Sequence, residues 1–176
     1  MAARSKARKR ALDVLFEAEL RGLPVLGLLS ERMSLGEQPT PEYTAEVVRG
    51  VAAHQAEIDQ LIAGNSVDWT LERMPAVDRN VLRIGVWELL WADDVPDGVA
   101  ISEAVLLAQD LSTDGSPAFV NGLLARVRDM GSTPGQPPVS RAGVKPLVPV
   151  RPRVTTRPPA PEGDEDEAGD DRDDED

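Results

Sequence analysis

The chain has 176 residues, with 15 prolines, one histidine, no cysteine and a formal net charge of −12. Its length fits one domain with a tail. The missing cysteines exclude disulfides, Cys-ligated zinc and thiol nucleophiles, and a single histidine excludes multi-histidine metal sites. A uniformly acidic protein repels phosphate, so the net charge argues against a nucleic-acid partner only if it is evenly spread.

The charge is instead arranged in blocks. Residues 1–10 carry five basic side chains and no acid, residues 11–130 have a net charge of −12, residues 131–160 have +5, and residues 161–176 have −10. From residue 131 onward, 9 of 46 residues are proline and none is aromatic, so little apolar surface is available to offset the entropy of folding. We predict a folded domain over 1–130 and a disordered tail over 131–176, Pro/Arg-rich first and then acidic.

The sequence shows no sign of a membrane or export segment. No run of 18 apolar residues occurs, and the basic start leads into an amphipathic pattern that contains Asp13 and Glu17. A transmembrane helix or a signal peptide would need an uninterrupted apolar stretch. We therefore predict a cytoplasmic protein without membrane contact.

Apolar residues recur at helical spacing in the first half of the chain. One helix is predicted over residues 5–20 with Ser5 as its N-cap, and a shorter one from Pro24 to about Met33. Thr40-Pro41 predicts the start of a long third helix that Gly64 ends. His54 lies on the apolar stripe of that helix, which favours a half-buried packing role over catalysis.

The second half continues the helical pattern. A short helical turn is predicted around Trp69 and Leu71, followed by a helix over 76–91 that is apolar on most faces and therefore central. Its compact polar strip consists of Arg79, Asn80 and Arg83, with Asp78 and Glu88 at its flanks, and is predicted to be exposed. Helices over 100–111 and 116–130 follow, and no long period-two alternation predicts a strand. The prediction is an all-α fold of about seven helices.

The sequence offers little catalytic chemistry. It contains no phosphate-binding glycine loop, dinucleotide-binding glycine pattern or nucleophile elbow. The turn acids Asp93, Asp94 and Asp97 lack the ligand number and spacing of a divalent-cation site. We predict that the protein is not an enzyme and holds no cofactor or metal.

The basic start is the most informative local feature. Arg4 with Arg8 and Lys6 with Arg10 are like-charge pairs four residues apart, at the positive end of the helix dipole. Both arrangements disfavour an isolated helix. A bound anion such as RNA phosphate would remove the penalty, and arginine suits that role. A solubilising helix start explains the same residues, so these side chains alone leave both interpretations open.

Three segments extend the argument, because they resemble a known family. ARKRALDVLFEAEL, MPAVDRNVLRIGVWELL and VAISEAVLLAQDLS followed by SPAFVNGLLARV resemble, in order, the first, central and closing helices of the bacterial transcription antitermination family NusB. The resemblance spans residues 4–130 and implies two three-helix bundles without enzymatic activity. It also implies binding of boxA RNA with NusE, a small-subunit ribosomal protein. That complex joins RNA polymerase and suppresses premature termination, chiefly during ribosomal RNA transcription.

The resemblance also implies two groups of site residues. The implied RNA-binding residues are Arg4, Lys6, Arg8, Lys9, Arg10, Phe119 and Asn121. The implied partner-binding residues are Phe16, Asp78, Arg79 and Arg83. Phe119 suits base stacking and core packing equally, and Asn121 suits a base contact or backbone support. The family often has an acid where this chain has Gly115, and its absence would strengthen RNA binding or loosen the loop.

Other interpretations stay open at this stage. A helical protein–protein module without specific RNA binding would use the basic start only for solubility. An RNA-binding domain of an RNA methyltransferase would need a longer chain with a cofactor-binding unit. A homodimer would hide the basic face, and the acidic residues 161–176 would either fold back on the basic start or serve only as a solvating tail.

Overall fold

The computed structural model describes residues 3–35, 39–66 and 69–130. These residues form six α-helices and one 3₁₀ turn, and no strand occurs among them. The helices are α1 (Ala3–Arg21), α2 (Val25–Leu35), α3 (Glu42–Asn65), α4 (Ala76–Trp91), α5 (Asp97–Leu111) and α6 (Ser116–Met130), with the 3₁₀ turn Leu71–Arg73 before α4. The all-α prediction is confirmed, and the segment 131–176 predicted to be disordered lies outside the described residues.

The helices group into two three-helix bundles. Each of α1, α2 and α3 packs against the other two, and the same holds for α4, α5 and α6. The bundles join where α4 also packs on α1 and α3. Eleven of the residues of α4 are buried, among them Val81, Leu82 and Ile84. A helix that is apolar on most faces needs partners on all of them, so α4 forms the centre of the fold.

Prolines mark where most of the helices begin. Pro24, Pro41, Pro75 and Pro96 each directly precede a helix, and their carbonyls accept hydrogen bonds from the N–H groups of the third or fourth helical residue. Proline suits this position because it has no N–H to satisfy and its φ is already fixed near the helical value. The sequence placed Pro24 and Pro41 at the first position of their helices, whereas α2 and α3 each begin one residue later. A difference of one residue is usual for a helix boundary.

Glycine ends α1 but not α3. Gly22 has φ 63°, and the Leu23 N–H donates to the Ala18 carbonyl at 2.8 Å, as in a Schellman-type helix end. The predicted stop at Gly64 is wrong, because α3 continues to Asn65. The Asn65 side chain donates back to the Leu61 carbonyl at 2.9 Å, which satisfies an acceptor at the helix end.

The first helix runs antiparallel to α4. Near its start, Arg4 pairs with Asp94, just beyond the end of α4, and near its end Glu19 pairs with Arg79 in the first turn of α4. Polar contacts therefore follow the whole length of this helix pair and join the two bundles. None of the described helices has the length and apolar character needed to cross a membrane.

Candidate nucleic-acid interface

The basic cluster is divided between two sides of α1. Lys6 and Arg10 are exposed and Lys9 is half-exposed. Arg4 and Arg8 point toward the second bundle, where both meet carboxylates. Residues three and four apart share one helix face, so Lys6, Lys9 and Arg10 lie together. We call these three residues the outer basic face.

Arg8 is an interior residue. It is 2 % exposed, its Nε donates to Glu88 at 2.8 Å, and its Nη1 lies 3.4 Å from a Glu103 carboxylate oxygen. The Tyr43 hydroxyl donates to the same oxygen of Glu88. The charge of Arg8 is therefore neutralised inside the molecule. As an RNA-binding residue Arg8 remains a prediction, and its side chain is occupied internally.

Arg4 occupies an intermediate setting. Its guanidinium pairs with Asp94, which lowers the pKa of that carboxyl, and lies 4.6 Å from the centre of the Tyr43 ring. Both members of the ion pair are about half exposed. An exposed pair of this kind contributes little to stability, so exchanging Asp94 for a phosphate has a low energetic cost.

The sequence did not predict that Glu88 is the carboxylate that binds Arg8. Glu88 is buried, and one of its oxygens has no donor among the described residues. Burial raises the pKa of Glu88, and the hydrogen bonds from Tyr43 and Arg8 offset this shift only in part. The available signal was an acid within a helix that is otherwise apolar, since a buried acid requires a partner.

These contacts remove part of the like-charge repulsion that the sequence predicts within α1. The Arg4–Arg8 pair is compensated within the protein by Asp94, Glu88 and Glu103. On the outer basic face, by contrast, no carboxylate of a described residue lies within ion-pairing distance. The charge that remains for an external anion is therefore carried by Lys6, Lys9 and Arg10.

An aromatic surface lies at the start of α6. Phe119 is partly buried, and its ring centre lies 5.7 Å from that of Trp69, which is 43 % exposed. Both rings line a cavity of about 320 Å³. Phe119 thus combines core packing with a surface for stacking, and Trp69, around which the sequence predicts a short helical turn, adds to that surface. Asn121 is exposed nearby on α6.

Gly115 borders the same cavity. It is exposed, and a Cβ added there would meet no atom within 4 Å. Sterics therefore do not exclude an acid at this position. Two acids nevertheless lie close by, since Asp78 lines the same cavity and Asp114 directly precedes Gly115.

The polar strip of α4 is not exposed, contrary to the sequence prediction. Asp78 is 1 % exposed and accepts a hydrogen bond from the Ser116 hydroxyl at 2.7 Å. Arg83 is buried and donates to both oxygens of Asp59, at 2.8 and 2.9 Å. The strip therefore links α4 to α3 and α6. As partner-binding residues, Asp78 and Arg83 remain predictions, and their side chains are occupied internally.

Glu19 of α1 binds three side chains of that strip. It accepts hydrogen bonds from Arg79, from Asn80 at 3.1 Å and from Arg83 at 2.7 Å. Burial favours its neutral form, but these three donors outweigh burial and lower the pKa of Glu19. Arg79 also donates to the carbonyls of Leu71 and Met74. It therefore fixes the 3₁₀ turn against α1 and is only partly available to a partner.

Two further residues singled out by the sequence lie outside the strip, on α1 and α3. Phe16 is half-exposed on α1, so among the predicted partner-binding residues it offers the most accessible apolar surface. His54 stacks on Trp91 with ring centres 4.3 Å apart, as expected for a packing residue. No group of three or more metal-ligating side chains occurs within the described residues.

Two three-helix bundles, joined through a central α4 and carrying an outward basic face on α1, define an all-helical fold with no strand in the described part of the chain. The sequence profile of the NusB family matches residues 5–129. The chain belongs to the NusB family.

Relatives and solved structures agree with this assignment. The chain is 62 % identical over 127 residues to the transcription antitermination protein NusB of Nocardioides sp., covering 72 % of this chain and 94 % of that protein. T. maritima NusB is similar in structure, with a TM-score of 0.65, 33 % identity, and coverage of 73 % of this chain and 92 % of that one. A crystal structure of antitermination factors NusB and NusE in complex with dsRNA has a TM-score of 0.64 and 28 % identity, covering 72 % and 96 %.

Proposed function

We propose that this protein is an RNA-binding transcription antitermination factor that binds boxA RNA together with NusE and helps suppress premature termination during ribosomal RNA transcription. The observation that carries the proposal is the outer basic face, where Lys6, Lys9 and Arg10 project from α1 and form no ion pair with a described residue, although Asp13, one turn along, interacts electrostatically with Lys9. Membership of the NusB family supports it. The antitermination complex of RNA polymerase in the cytoplasm is the proposed setting.

Two surfaces would share the RNA. The outer basic face would bind phosphates, and the Trp69–Phe119 surface would stack an unpaired base, as single-stranded RNA allows. Arg8 contacts Glu88 on α4, whereas the start of α6 contacts Asp78. Those two contacts are ten residues apart on α4, or about 15 Å at the helical rise. The two surfaces therefore lie at different levels along the molecule, and one RNA strand would have to extend from α1 to the start of α6 to engage both.

NusE would add a protein surface to the complex. Phe16 is our preferred contact because its ring is half-exposed. Asp78, Arg79 and Arg83 would act mainly by holding α4 in place, since their side chains bind Ser116, Glu19 and Asp59. Self-association of the free protein through the outer basic face is compatible with the same scheme, and RNA would then compete with it.

A charge-matched pair of variants tests the RNA site. Replacing Lys6, Lys9 and Arg10 together by alanine should weaken binding of boxA RNA at least tenfold at low salt. The slope of log K against log salt should fall by roughly 2, since each lost phosphate contact on a single strand contributes about 0.7. The measurement is fluorescence anisotropy over a salt series.

The control removes the same charge elsewhere. Arg21, Arg49 and Arg73 are exposed, and their triple alanine variant should retain nearly the full salt slope. Equal losses in the two variants would mean that only net charge matters and would refute the site. A non-boxA RNA and added NusE complete the design. If no complex forms with NusE, with or without RNA, a protein–protein module of another kind is the better interpretation.

A further inference from the structure

The acidic end of the chain has no place in the function described so far. Residues 161–176 contain 11 acidic side chains and one arginine, for a net charge of −10. The family profile ends at residue 129. The Nocardioides relative is covered over 94 % of its length by 72 % of this chain. The acidic block is therefore additional to the part of the chain that these proteins share.

The outer basic face is the complementary surface. Lys6, Lys9 and Arg10 lie on one side of the first three turns of α1, and no described acid forms an ion pair with them. The other basic residues of this helix are already used, because Arg4 pairs with Asp94 and Arg8 with Glu88. A polyanion attached to the same chain would meet this face first among the basic groups of α1.

The direction of α6 brings the tail toward that face. Ser116, at the start of α6, contacts Asp78 near the start of α4. Farther along, Leu124 lies against Gly85, so close that an added Cβ on the glycine would be 2.7 Å from it. The two helices therefore run in the same direction. Met130 leaves α6 toward the end of α4, which is the end where Arg4 meets Asp94 and α1 begins.

The connecting segment is long enough to close the distance. Thirty residues, 131–160, separate the end of α6 from the acidic block. A fully extended chain of that length reaches about 100 Å. Because the acidic block and α1 belong to one chain, their contact is intramolecular and needs less affinity than the binding of a separate polyanion would.

We infer that residues 161–176 bind the outer basic face of α1 and act as an intramolecular competitor of RNA phosphate. The acidic block would screen the face from weakly bound, nonspecific polyanions, whereas an RNA that also engages NusE and the aromatic surface would displace it. The competition rests on the proposed RNA-binding function, but the contact between tail and helix does not.

The contact is tested first without RNA. A labelled peptide of residues 161–176 is titrated by anisotropy, at low salt, into the chain shortened to residues 1–160. Binding should be detectable and should be lost in the same shortened chain with K6A, K9A and R10A, but retained with R21A, R49A and R73A. The basic segment 131–160 is a competing acceptor. Unchanged binding in the K6A, K9A, R10A variant would assign the tail to that segment, and no detectable binding to the shortened chain would leave the tail without an acceptor; either result would overturn the inference.

The competition is tested in the full chain. Deleting 161–176 should tighten binding of single-stranded RNA at least fivefold at low salt, at the lower end of typical couplings between sites. The gain should shrink in high salt, because screening weakens both contacts. A full-length chain with the acids of 161–176 replaced by Asn and Gln should match the deletion.

The two tests separate the two claims. If the peptide binds the outer basic face but no form of the protein binds RNA, the proposed function fails and the contact stands. If RNA binds with the same affinity with and without the acidic block, the competition fails and the RNA-binding proposal stands.

Discussion

Lys6 and Arg8 show how strongly the setting of a residue decides its role. They are two positions apart in one basic run, yet Lys6 is exposed and Arg8 is 2 % exposed between Glu88 and Glu103. A charge in the interior is tolerated only with a partner, and removal of one member leaves the other uncompensated. The two side chains therefore serve different purposes, Lys6 toward solvent and Arg8 toward the join between bundles.

This difference predicts a difference in stability. Arg8→Ala should lower the free energy of unfolding by about 3–5 kcal/mol, because Glu88 stays buried without its cation. Lys6→Ala, the control, should change it by less than about 0.5 kcal/mol, as for an ordinary surface substitution. Urea denaturation at neutral pH measures both.

The effect of Arg8→Ala should also depend on pH. Burial raises the pKa of Glu88, so the folded protein protonates this carboxyl at a higher pH than the unfolded chain does. A neutral carboxyl is less costly to bury than a charged one. The decrease in the free energy of unfolding caused by Arg8→Ala should therefore become smaller as the pH falls through the raised pKa of Glu88. Equal unfolding free energies for the Arg8 and Lys6 variants at every pH would contradict the buried-pair description.

At the scale of elements, α3 and α4 pack closely because of one glycine. Gly50 lies under the indole of Trp87, and an added Cβ would overlap the indole ring. Trp87 is itself 5 % exposed and has little room to move. The absence of a side chain at residue 50 thus sets the distance between the two bundles along this helix pair.

Two glycines of α3 give a matched test. Gly50→Ala should lower the free energy of unfolding by about 1–3 kcal/mol through overpacking. Gly64→Ala, in the same helix, should be neutral or stabilise by up to about 1 kcal/mol, because the site is open and alanine favours the helix. Thermal denaturation compares the variants. Stabilisation by Gly50→Ala would show that the helices are not in close contact there.

At the scale of the whole molecule, charged networks join the two bundles. Glu19 from α1 and Asp59 from α3 both bind Arg83 of α4, and Tyr43 of α3 joins Arg8 in binding Glu88. Each network would lose its counterions if one bundle unfolded alone. The bundles therefore stabilise each other through polar contacts as well as through the shared core.

We expect the two bundles to unfold in a single transition. Tryptophan fluorescence reports on Trp69 near the 3₁₀ turn and on Trp87 and Trp91 where α4 meets α3, whereas far-ultraviolet circular dichroism reports on all helices. The two denaturation curves should coincide, as two-state unfolding requires. A fluorescence midpoint that differs from the dichroism midpoint would mean that the bundles unfold independently.

Much of the fold followed from local patterns. The central helix was predicted over residues 76–91, which are the limits of α4, because its apolar run is bounded by Pro75 and a polar turn. The NusB resemblance supplied the grouping into two bundles. Helix ends were less certain, as at Gly64, because a glycine takes helical dihedral angles whenever packing does not oppose them.

The candidate site was predicted less completely than the fold. The sequence by itself determined that positive charge is concentrated in residues 1–10 and that α4 is central. Only the tertiary structure decided which of those charges face outward, because Arg4 and Arg8 meet acids that are 90 and 80 residues away along the chain. The polar strip of α4 is buried for the same reason, since Glu19 and Asp59 lie far from it in sequence. Helical periodicity depends on neighbours within a few turns, whereas neutralising a charge depends on distant partners that only folding brings together.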